Sequence, residues 1–187
     1  AVETTGKKNV VLSGGYGLNC VANYWYLDKL KKDGINLFVE PVSNDGGTAI
    51  GAAYYVHYKT VKEENAKVPE KINDLYYGPD YSFTIDQIIS TSDKYSGVVS
   101  EATNQTVIDL ITSENIVAVF QGKSEAGPRA LGNRSILYDP RDPEGKDFVN
   151  TVKRREWFRP FAGSILKEHA HEWFDLRGME DTPFMMY

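Results

Sequence analysis

The chain has a single cysteine, Cys20, in 187 residues. One thiol excludes a disulfide framework and any thiolate cluster around a metal within the chain. Histidine is almost as scarce: His57, His169 and His171 are the whole complement. The last two are two residues apart, so a helix splays them to different faces, as solvated side chains. No apolar run approaches the ~20 residues that a membrane helix needs. The opening AVETTGKK is polar where a signal peptide carries its apolar core. The sequence therefore reads as cytoplasmic, without a membrane partner, and the N-x-S/T matches at Asn104 and Asn133 as chance. Basic charge is also in deficit, with 21 Lys and Arg against 26 Asp and Glu. That balance argues against a general nucleic-acid binder, which needs a broad basic surface. What is abundant is apolar material: 41% hydrophobic residues and twelve tyrosines, enough for a core in one large or two small domains.

The few cations are unevenly placed. Residues 121–167 hold ten Lys/Arg and six Asp/Glu, a net of +4, which leaves −9 on the remainder. This stretch contains GKSEAGPRALGNRSIL and then KRREWFRPFAGSIL. Arg129 follows Gly127-Pro128, Arg134 follows Gly132-Asn133, and Arg159 precedes Pro160. Guanidiniums held by so constrained a backbone suit bidentate capture of a phosphate or related oxyanion. Arg154 and Arg155 have a plainer use as complements to the negative end of a helix. Arg141, flanked by Asp139 and Asp142, reads as a surface ion pair of little worth.

The fold class is mixed α/β. Residues 10–12 form a short strand that ends in SGGYGLN. A helix follows, with Leu18, Val21, Ala22 and Trp25 at the spacing of one apolar face. Residues 35–42 are a second strand, SNDGG a tight turn, and residues 48–58 a helix of small residues. Two glycine turns, each opening a helix, give two N-termini suited to anions. Neither matches a dinucleotide or P-loop fingerprint. Asp45 is the only carboxylate of its turn and suits a metal, a ribose hydroxyl or a simple cap. Residues 61–75 are charged and contain Pro69, as expected of a linker between residues 1–60 and 76–187. Beyond it, Thr84 to Gln87 makes a capping box, residues 103–115 a helix, and residues 116–120 a continuous apolar run expected as a central strand. Residues 135–138 form another strand, and Asp142-Pro143 starts a helix that delivers Lys153-Arg154-Arg155.

The blocks GPRALGNRS and FRPFA, with LSGGYGLNCVANYWYL, VSNDGGTAIGAA and YYGPDYS upstream, resemble the O-carbamoyltransferases, the family of nodulation-factor and antibiotic carbamoyltransferases. The resemblance runs through nearly the whole chain in order. It implies the end of an actin-like, sugar-kinase-like nucleotide domain in residues 1–60 and an incomplete YrdC-like domain in residues 76–187, a fragment of a longer enzyme. Carbamoyl phosphate and ATP would yield a carbamoyl-adenylate, whose carbamoyl group passes to a hydroxyl of a small acceptor. By position, Lys123, Arg129, Arg134 and Arg159 would be the catalytic cations. Asn133, Ser135, Lys153 and Arg155 would complete the carbamoyl phosphate and adenylate site. Gly14, Gly15, Asn19, Asn44, Gly46 and Gly47 would line the nucleotide, and Asp45 would help hold a divalent metal, iron or magnesium. The chain departs from the family pattern at Gly163, where a proline is usual, and has no counterpart of the family's histidine pair. Self-association through apolar surface left exposed is a further expectation. The contrasting readings are a non-catalytic nucleotide- or RNA-binding module related to tRNA threonylcarbamoylation proteins, and a structural domain whose glycine loops bind nothing.

Overall fold

A computed structural model describes residues 1–61 and 73–187. The expected linker at 61–75 falls for the most part outside the described residues. The chain is mixed α/β and divides into two units that do not follow a single cut in the sequence. Unit 1 comprises Ala1–Tyr76, Glu125–Arg129 and Ser164–Tyr187; unit 2 comprises Tyr77–Ser124 and Ala130–Gly163. Residues 125–129 and 164–187, which the sequence reading grouped with everything after residue 76, thus join unit 1.

Unit 1 opens with α1 (Val2–Thr5) and β1 (Asn9–Leu12), then a 3-10 turn over Gly15–Leu18 and α2 (Cys20–Lys32). Next come β2 (Asn36–Val39) and α3 (Gly47–Thr60). β1 and β2 are parallel, in the register Asn9 with Asn36 through Leu12 with Val39. Pro41 cannot donate to a sheet ladder, and the strand ends at Val39 rather than running to residue 42. α2 starts at Cys20, not Leu18, because Asn19 caps it: the side-chain oxygen accepts from the amide of Ala22 at 3.1 Å. Lys29, Lys31 and Lys32 occupy its last turn, where cations offset the helix dipole.

The buried face of α2 differs from the expected one. Val21 and Trp25 are exposed, and the inward position is Asn23, with no accessible surface. Its Nδ2 donates to the carbonyls of Gly17 at 2.7 Å and Met186 at 2.6 Å. A polar side chain holds this face because it satisfies two buried carbonyls that an apolar one would leave unpaired. The core around it is Ile35, Val39, Val42, Leu75, Ala170, Leu176 and Met186. The carboxyl-terminal residues fold in through a 3-10 turn (Lys167–His169) and α7 (Ala170–Trp173). Tyr187 then closes the outer edge of β2, its hydroxyl donating to the Leu37 carbonyl at 3.2 Å and accepting from the Val39 amide at 3.1 Å.

Unit 2 contains α4 (Ile85–Lys94), α5 (Asn104–Thr112), β3 (Val117–Phe120), β4 (Arg134–Leu137) and α6 (Gly145–Val152). Reciprocal bonds between Thr84 and Gln87 cap α4, and Thr103 with Thr106 does the same for α5. β3 is not a central strand among the described residues. It pairs antiparallel with β4 alone, Phe120 opposite Arg134, and its alternate residues are exposed. α6 begins at Gly145, two residues after Pro143, in a turn that Asp142 organises by accepting from the Glu144 amide at 2.9 Å and the Tyr138 hydroxyl at 2.7 Å.

Candidate functional site

Both glycine turns of unit 1 follow the carboxyl ends of parallel strands, so they meet at one edge of the sheet, where α/β folds bind ligands. The turns touch. Gly17 lies so close to Ser43 that a Cβ on it would stand 2.8 Å from the serine hydroxyl oxygen. Ser43 is buried and donates back to the carbonyl of Glu40. In the second turn the amides of Gly47 and Thr48 close on the carbonyls of Asn44 and Asp45 at 2.9 and 3.1 Å. Gly47 is sterically required, because a Cβ would approach the Val42 carbonyl oxygen to 2.2 Å. Asn44 Oδ1 is buried without a hydrogen-bond partner among the described residues.

The GPR segment arrives at this same edge. Gly127 faces Val42, and the amide of Ala126 donates to the carbonyl of Leu75 at 2.6 Å. Arg129 reaches the first glycine turn and donates from Nη2 to the Leu18 carbonyl at 2.7 Å. Its Nε is buried with no partner among the described residues. A buried, unsatisfied guanidinium N–H is costly unless something else accepts from it.

In unit 2 the cations fall into two clusters. In the first, residues 121–123 and 132–135 are tied to one another. Asn133 donates to the Lys123 carbonyl at 2.7 Å, and the Gly132 amide to Ser135 Oγ at 2.9 Å. Arg134 spends its guanidinium on these residues, bonding the carbonyls of Gln121, Asn133 and Gly122 at 2.7, 2.9 and 3.2 Å. Its carbon centre lies 3.6 Å from the centroid of the Phe120 ring. The Lys123 side chain is on the exposed rim.

The second cluster follows α6. Asn150, nearly inaccessible, donates to the carbonyls of Trp157 and Arg159 at 3.2 and 3.0 Å. Arg155 donates from Nε to Asn150 Oδ1 and from Nη2 to the Pro160 carbonyl at 3.3 Å. Burial, and then the neighbouring charge of Arg159, lowers the Arg155 pKa. Arg159 extends outward to a partly exposed ion pair with Glu156 at 3.5 Å, and Lys153 is exposed.

Two family models match this sequence. That for the carbamoyltransferase N-terminus covers residues 1–54 and that for the carbamoyltransferase C-terminus covers residues 108–187. The chain belongs to the carbamoyltransferase family. It is 38% identical to nodulation protein NolO of Bradyrhizobium diazoefficiens over 99% of its own length and 34% of that protein's. It is 37% identical to nodulation protein NolNO of Sinorhizobium fredii, over 99% of itself and 27% of that protein. Against nodulation protein U of Rhizobium tropici the identity is 34%, over 97% and 29% of the two chains. The chain thus spans about a third or less of the length of these relatives.

The residues expected from the sequence to form the site separate by unit. Gly14, Gly15, Asn19, Asn44, Asp45, Gly46, Gly47 and Arg129 all belong to unit 1, while Lys123, Asn133, Arg134, Ser135, Lys153, Arg155 and Arg159 belong to unit 2. Asn19 and Arg134 carry helix-capping and loop-closing bonds of their own. Asp45 offers one exposed carboxylate, and the described residues contain no group of three His, Cys, Asp or Glu able to hold a metal. Among the described residues the donor set therefore does not make a metal centre. Reading the sequence missed Asn23, Ser43 and Asn150, the buried polar residues that hold the turns in place. The available signal was an Asn four residues after the helix-capping Asn19, on the next turn of the same helix.

Proposed function

We propose that the chain supplies oxyanion-binding parts of an O-carbamoyltransferase. In that reading the longer polypeptide draws a carbamoyl group from carbamoyl phosphate, activates it with ATP as a carbamoyl-adenylate, and gives it to a hydroxyl of a small acceptor in the cytoplasm. Residues 1–60 would be the end of the actin-like nucleotide domain and residues 76–187 part of the YrdC-like one. The observation that carries the proposal is the planting of Arg129 on the first glycine turn, with its Nε buried and without a partner among the described residues. An oxyanion on this edge would accept from that N–H and from turn amides, in a setting where fixed donors need no reorganisation as charge develops. Lys123, Lys153 and Arg159 would provide exposed cations for the phosphate groups in unit 2, and Arg155 the rigid base of their loop. The residues fit a nucleotide phosphate; they do not by themselves fit a metal.

Thermal denaturation with and without ATP or carbamoyl phosphate tests the reading. Arg129→Ala is expected to abolish the ligand-induced rise in Tm, whereas Arg141→Ala, lowering the baseline Tm, should keep that rise. Equal loss in both variants would mean that bulk charge, not placement, governs binding.

A further inference from the structure

A pocket of about 360 Å³ opens in unit 1 where the carboxyl-terminal residues lie against β2. Its walls are apolar and flat. Phe38 and Pro41 come from β2 and the residues just after it, Pro183, Phe184 and Tyr187 from the end of the chain. Val39 and Met186 also line it and are only 3% and 2% exposed, so they form its floor. These groups are held in place before any ligand arrives. The Tyr187 hydroxyl is bonded to both Leu37 and Val39, and Asn23 grips the Met186 carbonyl. The Met185 amide closes a turn on the Thr182 carbonyl at 3.4 Å, with Met185 itself at φ 54°. Residues other than glycine keep that conformation only where their surroundings enforce it. A site so ordered loses little entropy on binding.

The lining also says what would fit. Thr182 is part of it, and its Oγ1 is buried without a hydrogen-bond partner among the described residues. A buried hydroxyl left unpaired is costly. Having no bond to break, it can turn between staggered positions to meet a polar atom in the pocket. Asp181 is the only charged residue of the lining among the described residues, and Lys167 pairs with it at 3.0 Å. No unmatched charge therefore favours an ion. Small-molecule sites run from about 300 to 1,000 Å³, and this one, at the small end, has room for one ring.

We infer that this pocket is a binding site for an uncharged, single-ring compound, with the Thr182 hydroxyl as its hydrogen-bond partner. The site does not depend on the oxyanion reading, whose ligands are polyanions. The test uses the 187-residue chain, whose three methionines are Met179, Met185 and Met186. Isotope labelling of their methyl groups gives each its own NMR signal, assigned by Met→Leu variants. p-Cresol is expected to shift the Met186 signal saturably and to leave that of Met179, which is not in the lining, where it was. Thr182→Val keeps the shape and removes the hydroxyl. It should weaken p-cresol about fivefold and leave toluene affinity as it was. Phe38→Ala, at a half-exposed position, should weaken both compounds. The p-toluate anion, which puts a carboxylate on the same ring, should not bind. A Met186 shift that is absent or does not saturate, or one matched by Met179, would overturn the inference. So would equal p-cresol affinities of the native and Thr182→Val chains, or p-toluate binding as tightly as p-cresol. None of these outcomes touches the ATP-induced rise in Tm that tests Arg129.

Discussion

The guanidinium of Arg129 donates from Nη2 to the carbonyl of Leu18 at 2.7 Å, across 111 residues of sequence. This one bond ties the GPR segment to the SGGYGLN turn within unit 1. Lysine can reach one carbonyl but lacks a planar second donor for an oxyanion. Arg129→Lys should therefore keep baseline stability within about 1 kcal/mol of native yet lose most of the Tm shift given by ATP. Scanning calorimetry in the two conditions separates the two effects; full retention of the shift would mean that only the charge of Arg129 matters.

Asn23 is expected to be among the most sensitive positions of unit 1. Removing its amide leaves the carbonyls of Gly17 and Met186 buried without their donor. Each such loss costs about 1–3 kcal/mol. Asn23→Leu, which fits the apolar pattern of the helix better, should still unfold several degrees lower than the native chain. A neutral Asn23→Leu in a urea titration would contradict the assignment.

The local signals of the sequence carried far and the long-range ones did not. Thr84 with Gln87 is a capping box that needs no tertiary context, and the glycine turns after β1 and β2 mark their own places. The face of α2 was misread because hydrophobic spacing counts Val21 and Trp25 and passes over Asn23, whose burial depends on two carbonyls, one of them 163 residues away. In the same way, nothing local distinguishes Arg129 from Arg134, five positions on. One crosses to a distant turn and the other folds back on the carbonyls of its own loop. The basic block read as a single site is thus divided between two units.

Two glycines of α3 should respond in opposite directions to the same change. At Gly47 a methyl group would stand 2.2 Å from the Val42 carbonyl oxygen, whereas at Gly51 nothing lies within 4 Å. Gly47→Ala must push the turn open and should cost about 1–3 kcal/mol, as overpacking does. Gly51→Ala relieves the entropy of a mid-helix glycine and should stabilise by about 0.5–1 kcal/mol. Chemical denaturation of both variants reads the difference, and a Gly47→Ala as stable as Gly51→Ala would show that the turn yields freely.

The pairing of Asp139 with Arg141 makes unit 2 sensitive to acid. Asp139 is only 6% exposed and accepts from Arg141 Nε at 2.9 Å, from Nη2 at 2.5 Å and from the Arg141 amide at 2.9 Å. The side-chain bonds of Arg141, and then its amide, hold the carboxyl down at about 2, against 3.8 when unperturbed. A carboxylate with a depressed folded-state pKa adds stability above its unfolded value and loses it as the pH falls through the folded one. The contribution should therefore be complete above about pH 5, shrink below pH 4 and vanish near pH 2, with the unfolded and folded values of 3.8 and about 2 setting the window. Arg141→Ala removes the cause of the shift. It should lower stability at neutral pH and flatten the acid limb of the Tm-against-pH curve over that window, while Asp139→Asn should flatten the same limb without a new dependence elsewhere. An Arg141→Ala curve that runs parallel to the native one down to pH 2 would show that the pair contributes nothing to folding.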